Sequence, residues 1–317
     1  MSLSRRAALG MGLALPGLAQ VPWAPTRPIR LVVPFAPAGI LDQLGRLLAE
    51  PMGRRLGQPM VVENRAGAGG NVGTALVARA RGDSHLMLVG SSGPLAVSPI
   101  TEPQLGYDPL VDLSPITLIN QTPLVLVVRA AGPHRDVAGL VAALKAEGRE
   151  VMYPTPGVGS PQLLAQEAFR QVAGFPAAPV HYQGSAPAVM AVIAGEFAFT
   201  IENMVLARPQ VEAGVLRALA VTSAARAPML PDVPTMAEQG FPGFIAGGWY
   251  GLLSPGGVPD EVVGALHRAA VAAMAEPEVA RRISEMGGPP VANSPGEFRA
   301  HIRSEMERWR GVMAGGR

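Results

Sequence analysis

The 317-residue chain contains no cysteine, and aromatic and charged residues make up only 5% and 16% of it. Without cysteine there is no disulfide, thiol nucleophile, Cys-ligated metal or lipid-anchoring cysteine. Basic and acidic residues number 26 and 24, so no basic excess favours nucleic acid or an anionic membrane surface. No His-Glu-x-x-His or similar metal-ligand cluster occurs. We therefore expect no cofactor, no metal and no nucleic-acid partner.

Long apolar runs are also missing, since no stretch approaches the roughly twenty residues of a membrane-spanning helix. The longest candidate lies at the N-terminus, where Ser4-Arg5-Arg6 precedes an apolar run over 7–15 and small residues at Gly17 and Ala19. This order is typical of a signal peptide and is compatible with twin-arginine export. A buried N-terminal helix and a retained anchor are the alternatives. We predict a signal peptide over 1–19 and a soluble mature protein in the periplasm.

What the chain does contain is a high hydrophobic content of 48%, arranged as apolar runs that alternate with helical spacing. The predicted strands lie at 29–35, 60–63, 85–90, 116–120, 124–129, 150–153, 178–182, 197–202, 216–222 and 249–253. This alternation predicts an α/β fold with mixed, mostly parallel sheets flanked by helices.

Helix boundaries are readable at several places. Ser160 followed by Pro161 predicts a helix start, and Gly174 predicts its end. Ser294 and Glu297 have the spacing of a capping box. The Ala-rich segment 262–275 predicts another helix.

Two long strands, near 116–129 and 216–223, are flanked by proline-rich turns, and we interpret them as hinge strands that cross between two lobes. The predicted first lobe comprises 20–120 and 227–317, and the second comprises 121–226.

Two strand-to-helix turns have the composition of anion sites. In the first, Ala-Pro-Ala-Gly at 36–39 separates an apolar strand from a helix that contains Asp42. In the second, a glycine-rich turn leads into the helix capped by Ser160. Free backbone N–H groups at such turns favour an anion. Because an acid in direct contact would repel an anion, Asp42 is interpreted either as fixing a bridging water or as bracing the turn.

Other motifs are weaker. The segment GAGGNVG at 67–73 fails the dinucleotide pattern because Val72 replaces the third glycine, and a glycine-rich connection is the preferred interpretation. Ser91 and Ser92 follow a strand without the spacing of a serine nucleophile. They are interpreted either as hydroxyl donors to a ligand or as ordinary turn residues.

Several motifs together resemble one family. VVENRAGAGG at 61–70, HYQGSAP at 181–187, LPDVPTMAEQG at 230–240 and the ending SPGEFRAHIRSEMERW at 294–309 are similar to the Bug family. Members are the periplasmic substrate-binding proteins of tripartite tricarboxylate transporters. The resemblance runs from about 26 to 309. It implies a two-lobed, type II-like periplasmic binding protein that is not an enzyme and closes about a hinge on a small organic carboxylate.

Ligand-binding positions follow from the same resemblance. They are Phe35, Ala36, Ala38, Gly39, Asp42, Ser91, Ser92, Gly159, Ser160, Glu202 and Asn203. There are three departures from the family pattern: Ala38 replaces a glycine, Leu163 replaces a common histidine, and Ala198 and Glu202 differ from the commoner aspartate pattern. The loss of the histidine favours a less charged or more apolar ligand.

The function expected from this resemblance is delivery of a carboxylate, by a monomer, to the membrane permease of a tripartite transporter. A carboxylate sensor for a signalling partner is an alternative. A serine hydrolase built around Ser92 or Ser160 is a second, and it requires a nearby histidine. A surface protein without a ligand pocket is a third.

Overall fold

The computed structural model describes residues 23–157, 160–182 and 184–314, with only the backbone described for 312–314. The predicted signal peptide therefore lies outside the described residues, as does Gly159. Strands in the described part are β1 (Ile29–Val33), β2 (Met60–Asn64), β3 (Leu86–Ser91), β4 (Leu113–Arg129), β5 (Val151–Thr155), β6 (Ala177–His181), β7 (Phe199–Asn203), β8 (Leu216–Val221) and β9 (Gly247–Pro255). Their predicted positions are confirmed, except that the runs at 116–120 and 124–129 form one continuous strand.

The helices of the same part are α1 (Ile40–Leu56), α2 (Asn71–Arg79), α3 (Ser98–Thr101), α4 (Val137–Ala146), α5 (Pro161–Ala173), α6 (Ser185–Ala194), α7 (Met204–Glu212), α8 (Asp260–Met274), α9 (Pro277–Glu285) and α10 (Pro295–Ala314). The predicted caps are confirmed. Ser160 caps α5, which ends at Gly174 in the left-handed conformation. Before α10, Ser294 Oγ accepts from Glu297 N at 3.3 Å while Glu297 Oε2 accepts from Ser294 N at 2.8 Å.

The main sheet has the strand order β2-β1-β3-β9-β4-β7, with β8 also pairing with β4, and β5 and β6 form a separate pair. Three pairings are parallel (β1 with β2, β1 with β3, β5 with β6). The other four pairings among the described residues are antiparallel. The sheet is mixed as expected, but the expectation of mostly parallel pairing was wrong. Strand β9 enters the first lobe from the second and so runs opposite to β3.

The long strand β4 belongs to both lobes. Its first part, up to Pro123, pairs with β9, and its last part, from Leu124, pairs with β7 and β8. The chain returns to the first lobe where Gly247 and Gly248 pair with Pro123 and Thr122. The prediction of a second hinge strand near 216–223 was therefore wrong, since β8 pairs with the second-lobe part of β4. The stretch before this return packs with the second lobe, since Phe244 and Ala246 join its core.

Each lobe has its own apolar core. In the first lobe, α1 and α8 pack on one face of the sheet, and α2 and α10 pack on the other. In the second lobe, Phe169 meets Phe175 and Phe199 edge to face, with ring centroids 5.6 and 5.8 Å apart. Each buried aromatic ring stabilises the lobe by about 1.5–3 kcal/mol. Two rigid lobes joined by two adjacent strands are the framework that positions the site.

In the described part of the chain, no helix has the length and apolar character needed to cross a bilayer.

Candidate functional site

The turn between β1 and α1 bends through Ala38, whose φ is +69°. A left-handed conformation costs an L-residue about 1–2 kcal/mol, which is why glycine is usual at such positions. The replacement of glycine by Ala38 has therefore not removed the bend. The backbone N–H of Ala38 donates to Asp42 Oδ2 at 3.0 Å, and this bond holds the strained conformation.

Asp42 holds the turn in place from its buried side. Its Oδ2 also accepts from Arg46 Nε at 2.9 Å, and its Oδ1 accepts from Asn64 Nδ2 at 2.9 Å. The same Asn64 amide donates to the carbonyl of Phe35 at 3.1 Å. The hydrogen bond from Arg46, more than any other contact, lowers the pKa of Asp42 to about 2. With only 4% of Asp42 exposed, these contacts support the bracing interpretation.

The outer side of this turn is open. Ala36, Ala38 and Gly39 are exposed, while Phe35 is half-buried. Gly39 precedes the first turn of α1 and provides no side-chain cap. Its φ is −74°, and a Cβ added there would find its nearest neighbour, the Ala36 carbonyl, 3.7 Å away. The outer side of Gly39, at the start of α1, is thus open and accessible to an anion.

The glycine-rich segment 67–73 supports the turn. Gly70 has φ +97°, and a Cβ there would lie 2.8 Å from the rings of Phe35 and Pro94. Gly73 packs in the same way against Pro34, at 2.8 Å. The interpretation as a glycine-rich connection is confirmed, because these glycines allow close packing around Phe35.

Ser91 and Ser92 lie at the end of β3, beside this turn. They are 5% and 4% exposed, and a single π-helical turn over Gly93–Val97 follows them. Ser91 pairs with Tyr250 of β9. Their placement is compatible with both earlier interpretations.

Sequence reasoning missed Tyr250 and Thr122, which lie at the junction of the lobes. A Cβ on Gly248 would lie 3.0 Å from Thr122 Oγ1, 3.6 Å from the Tyr250 hydroxyl and 3.6 Å from Pro161 of α5. Burial raises the pKa of Tyr250. The signal in the sequence is weak: a Gly-Gly pair opens β9, and only its pairing with β4 reveals the junction. Trp249 is buried against Phe298 and belongs to the core of the first lobe.

In the second lobe, the turn after β5 leads into α5. The Ser160 hydroxyl donates to the Gly157 carbonyl at 2.7 Å and accepts from Leu163 N at 3.2 Å. Ser160 Oγ is also 3.4 Å from Thr155 Oγ1. The cap predicted from the sequence is therefore formed, and it occupies the hydroxyl expected to contact a ligand.

Glu202 and Asn203 end β7. Glu202 is completely buried, and its Oε1 accepts from Gln162 Nε2 at 2.6 Å, Ser185 Oγ at 2.9 Å and Asn203 N at 2.6 Å. Asn203 caps α7, since its Oδ1 accepts from Val205 N at 2.9 Å. Gln162 and Ser185 were not singled out in the sequence, because nothing local indicates that they converge on Glu202.

The predicted positions form two groups. In the first lobe, the turn after β1 and the end of β3 are adjacent through the contacts of Phe35 and Pro94 with Gly70. In the second lobe, Ser160 and Glu202 are linked through the start of α5. At the junction of the lobes, Gly248 of β9 lies against the start of α5, since a Cβ there would be 3.6 Å from Pro161.

The geometry required of a hydrolase is not found among the described residues. There, no hydrogen bond joins Ser91, Ser92 or Ser160 to a histidine. His85 Nε2 accepts from Thr26 N, and His267 lies against the Asn293 carbonyl. The described residues also contain no His, Asp and Glu group suited to a metal ion.

Comparison with known proteins places the chain in one group. A family model described as "Tripartite tricarboxylate transporter family receptor" matches residues 44–315. Protein BugT of Bordetella pertussis is 37% identical over 311 residues, which are 97% of this chain and 95% of BugT.

Two solved structures are similar along nearly the whole chain. The R. palustris protein Rpa4515 with adipate has a TM-score of 0.79 and 34% identity, over 92% of this chain and 97% of that one. MatC from Rhodopseudomonas palustris with bound malate has a TM-score of 0.76 and 30% identity, over 91% and 99%.

Proposed function

Because the chain belongs to the family of tripartite tricarboxylate transporter receptors, we propose that it captures a small organic carboxylate between its two lobes. Its family is one of substrate receptors and not of enzymes. The observation that carries the proposal is that each lobe has a strand-to-helix turn, after β1 and after β5, and that the start of α5 lies against Gly248 at the junction of the lobes. Structural neighbours that hold adipate and malate support a carboxylate as ligand.

The first lobe presents one end of the site. The exposed backbone of 36–39 at the start of α1 receives the carboxylate, with the helix dipole contributing about 0.3–1 kcal/mol. Asp42 fixes the turn and the position of any bridging water. The hydroxyls of Ser91 and Ser92 complete this side.

The second lobe presents the other end. We assign Gly159, Ser160 and Asn203, at the starts of α5 and α7, to this side, with Glu202 behind them. Because the Ser160 hydroxyl donates to the Gly157 carbonyl, it must exchange that bond in order to donate to the ligand. Leu163, partly buried at the start of α5, offers an apolar contact where a histidine is common. A ligand with an apolar middle section and an acidic group at each end fits this arrangement.

Capture proceeds by hinge closure about the two adjacent strands at 121–123 and 247–249. The lobe boundaries that we propose are these crossings, since 227–246 pack with the second lobe. Closure desolvates the ligand and completes its hydrogen bonds from both lobes. The protein acts in the periplasm after removal of 1–19, as a monomer, and passes its ligand to the permease subunits of a tripartite transporter.

Thermal unfolding of the mature protein against mono-, di- and tricarboxylates, with adipate and malate included, tests this proposal. A ligand at a hundred times its Kd stabilises the native state by about 2.7 kcal/mol, which raises the Tm by several degrees. Protein that has been unfolded and refolded is scanned in parallel, so that a co-purified ligand does not mask the effect. No shift with any acid after refolding would contradict carboxylate capture.

A further inference from the structure

Glu202 is a buried acid whose two carboxyl oxygens differ in the hydrogen bonds that they accept. Oε1 accepts three hydrogen bonds, at 2.6, 2.9 and 2.6 Å. Oε2 is enclosed by protein and has no hydrogen-bond partner among the residues that the structure describes. A carboxylate shares its charge between both oxygens, so the ionised form would leave half of its charge buried without a donor.

Among the described residues, no cation pairs with this carboxyl group. The titratable side chains on the elements packed against β7 are Tyr153 on β5, Glu167 and Arg170 on α5, Arg129 at the end of β4, and Arg208 and Glu212 on α7. Arg170 pairs with Glu167, which also contacts Tyr153, and Arg208 pairs with Glu212. Helix α6 carries no titratable residue.

Three helix N-termini converge on the same carboxyl group. Gln162 is the second residue of α5, Ser185 is the first residue of α6, and Asn203 caps α7. Helix N-termini favour negative charge, and they act on Glu202 as well as on any ligand. This effect is modest within one turn, whereas complete burial of an unpaired charge is costly. Burial is accordingly the largest influence on Glu202, and it raises the pKa of the carboxyl.

We propose that Glu202 is a positioning residue that stays protonated at neutral pH, and that the ligand's anionic group binds at the N-termini of α5, α6 and α7. The role as ligand support rests on the proposed function. As a neutral acid, Glu202 orients Gln162 and Ser185 without placing a negative charge behind the anion. Ionisation of Glu202 repels the ligand, so the affinity for an anionic carboxylate falls as the pH rises.

The first test is made without ligand, by urea unfolding of wild type, E202Q and E261Q between about pH 5 and about pH 9. Glu261 is exposed on α8 and serves as the matched control. A raised native pKa gives wild type a stability contribution that is present below the unfolded pKa and is lost as the pH rises towards the native pKa. Wild type therefore weakens relative to E202Q with rising pH, while its difference from E261Q stays constant. A wild type–E202Q difference independent of pH would overturn the proposal.

A second measurement, infrared spectroscopy of the wild-type protein, does not require that a variant fold. Among the described acids whose pKa is displaced, only Glu202 is displaced upward. The infrared carbonyl band of a protonated carboxylic acid is therefore expected in ligand-free wild type at neutral pH, and it disappears on alkaline titration. Its absence at neutral pH would overturn the proposal.

Calorimetric titration with adipate and with malate tests the effect on the ligand. Wild-type affinity is expected to fall up to roughly tenfold per pH unit above the Glu202 pKa, whereas the affinity of E202Q stays the same across this range. Equal pH dependence in both proteins would refute the role of Glu202 in capture. If neither acid binds at any pH, the proposed ligand class fails for these two acids, and unfolding and infrared data still decide whether Glu202 is protonated.

Discussion

The substitution Asp42→Asn tests the turn that begins the candidate site. All three partners of the Asp42 carboxylate are donors, namely Ala38 N, Arg46 Nε and Asn64 Nδ2. An asparagine side chain has one oxygen and one NH₂ group. Its NH₂ group would therefore face one of these donors and could not accept a hydrogen bond from it. The substitution also removes the charge that attracts Arg46. We expect the strained bend at Ala38 to become less stable.

The magnitude follows from the pKa of Asp42, which lies at about 2 instead of 3.8. At 1.36 kcal/mol per pKa unit, this difference corresponds to at most about 2.4 kcal/mol. The Arg46 side chain is 56% exposed, and solvent screening weakens such a pair. We therefore expect the free energy of unfolding to fall by about 1–2 kcal/mol at neutral pH.

The assay is urea unfolding of wild type and D42N from neutral pH to about pH 2. Because the native pKa is lowered, the contribution is present above the unfolded pKa and is lost as the pH falls through the native pKa. The two proteins should therefore converge between about pH 4 and about pH 2. Glu50→Gln on the same helix removes an exposed pair with Arg54 and should change stability by less than about 0.5 kcal/mol. A D42N effect that small, or one that is constant with pH, would refute the bracing role.

Three further substitutions separate binding from stability. Gly39→Val adds a side chain whose Cβ would have the Ala36 carbonyl as its nearest neighbour, at an ordinary contact distance of 3.7 Å, so we expect a nearly unchanged Tm and at least a tenfold loss of carboxylate affinity by calorimetry. Gly296→Val, whose Cβ would have no neighbour within 4 Å, is the control. Normal affinity in the Gly39 variant would exclude this turn from the site. Ser160→Ala removes the cap of α5 and should lower the free energy of unfolding by about 1 kcal/mol. It should also weaken binding by about 1 kcal/mol if the hydroxyl contacts the ligand, and unchanged affinity would limit Ser160 to the cap. Ala38→Gly relieves a conformation that costs about 1–2 kcal/mol. It also raises the conformational entropy of the unfolded chain, which lowers the stability by about 0.4–1 kcal/mol. A net gain of about 0.5 kcal/mol in urea unfolding is expected, and a net loss would argue against strain at Ala38.

Local signals predicted much of this fold. The apolar runs located the strands, and the Ser160 and Gly174 caps bounded α5, because strand formation and capping depend on neighbouring residues. The family motifs also pointed to the turn after β1. The sequence did not predict that β4 passes through both lobes, because the pairing partners of a strand are distant in the chain.

The candidate site divides in the same way. The small residues at 36–39 and the cap at Ser160 were readable from composition and spacing. The surroundings of the two acids were not. Asp42 is held by Asn64, 22 residues away, and Glu202 is held by Gln162, 40 residues away.

The sequence by itself thus determined the elements, their caps and the family to which the chain belongs. Only the tertiary structure decided that β9 runs antiparallel to β3, that Asp42 is braced by three donors and that Glu202 is buried with no cation paired to it in the described part of the chain. The physical reason is that burial, and hydrogen bonds such as those from Asn64 to Asp42 and from Gln162 to Glu202, depend on residues that are distant in the chain, whereas the contact of Asp42 with Arg46 is local. Residues adjacent in the chain set only the local path of the backbone.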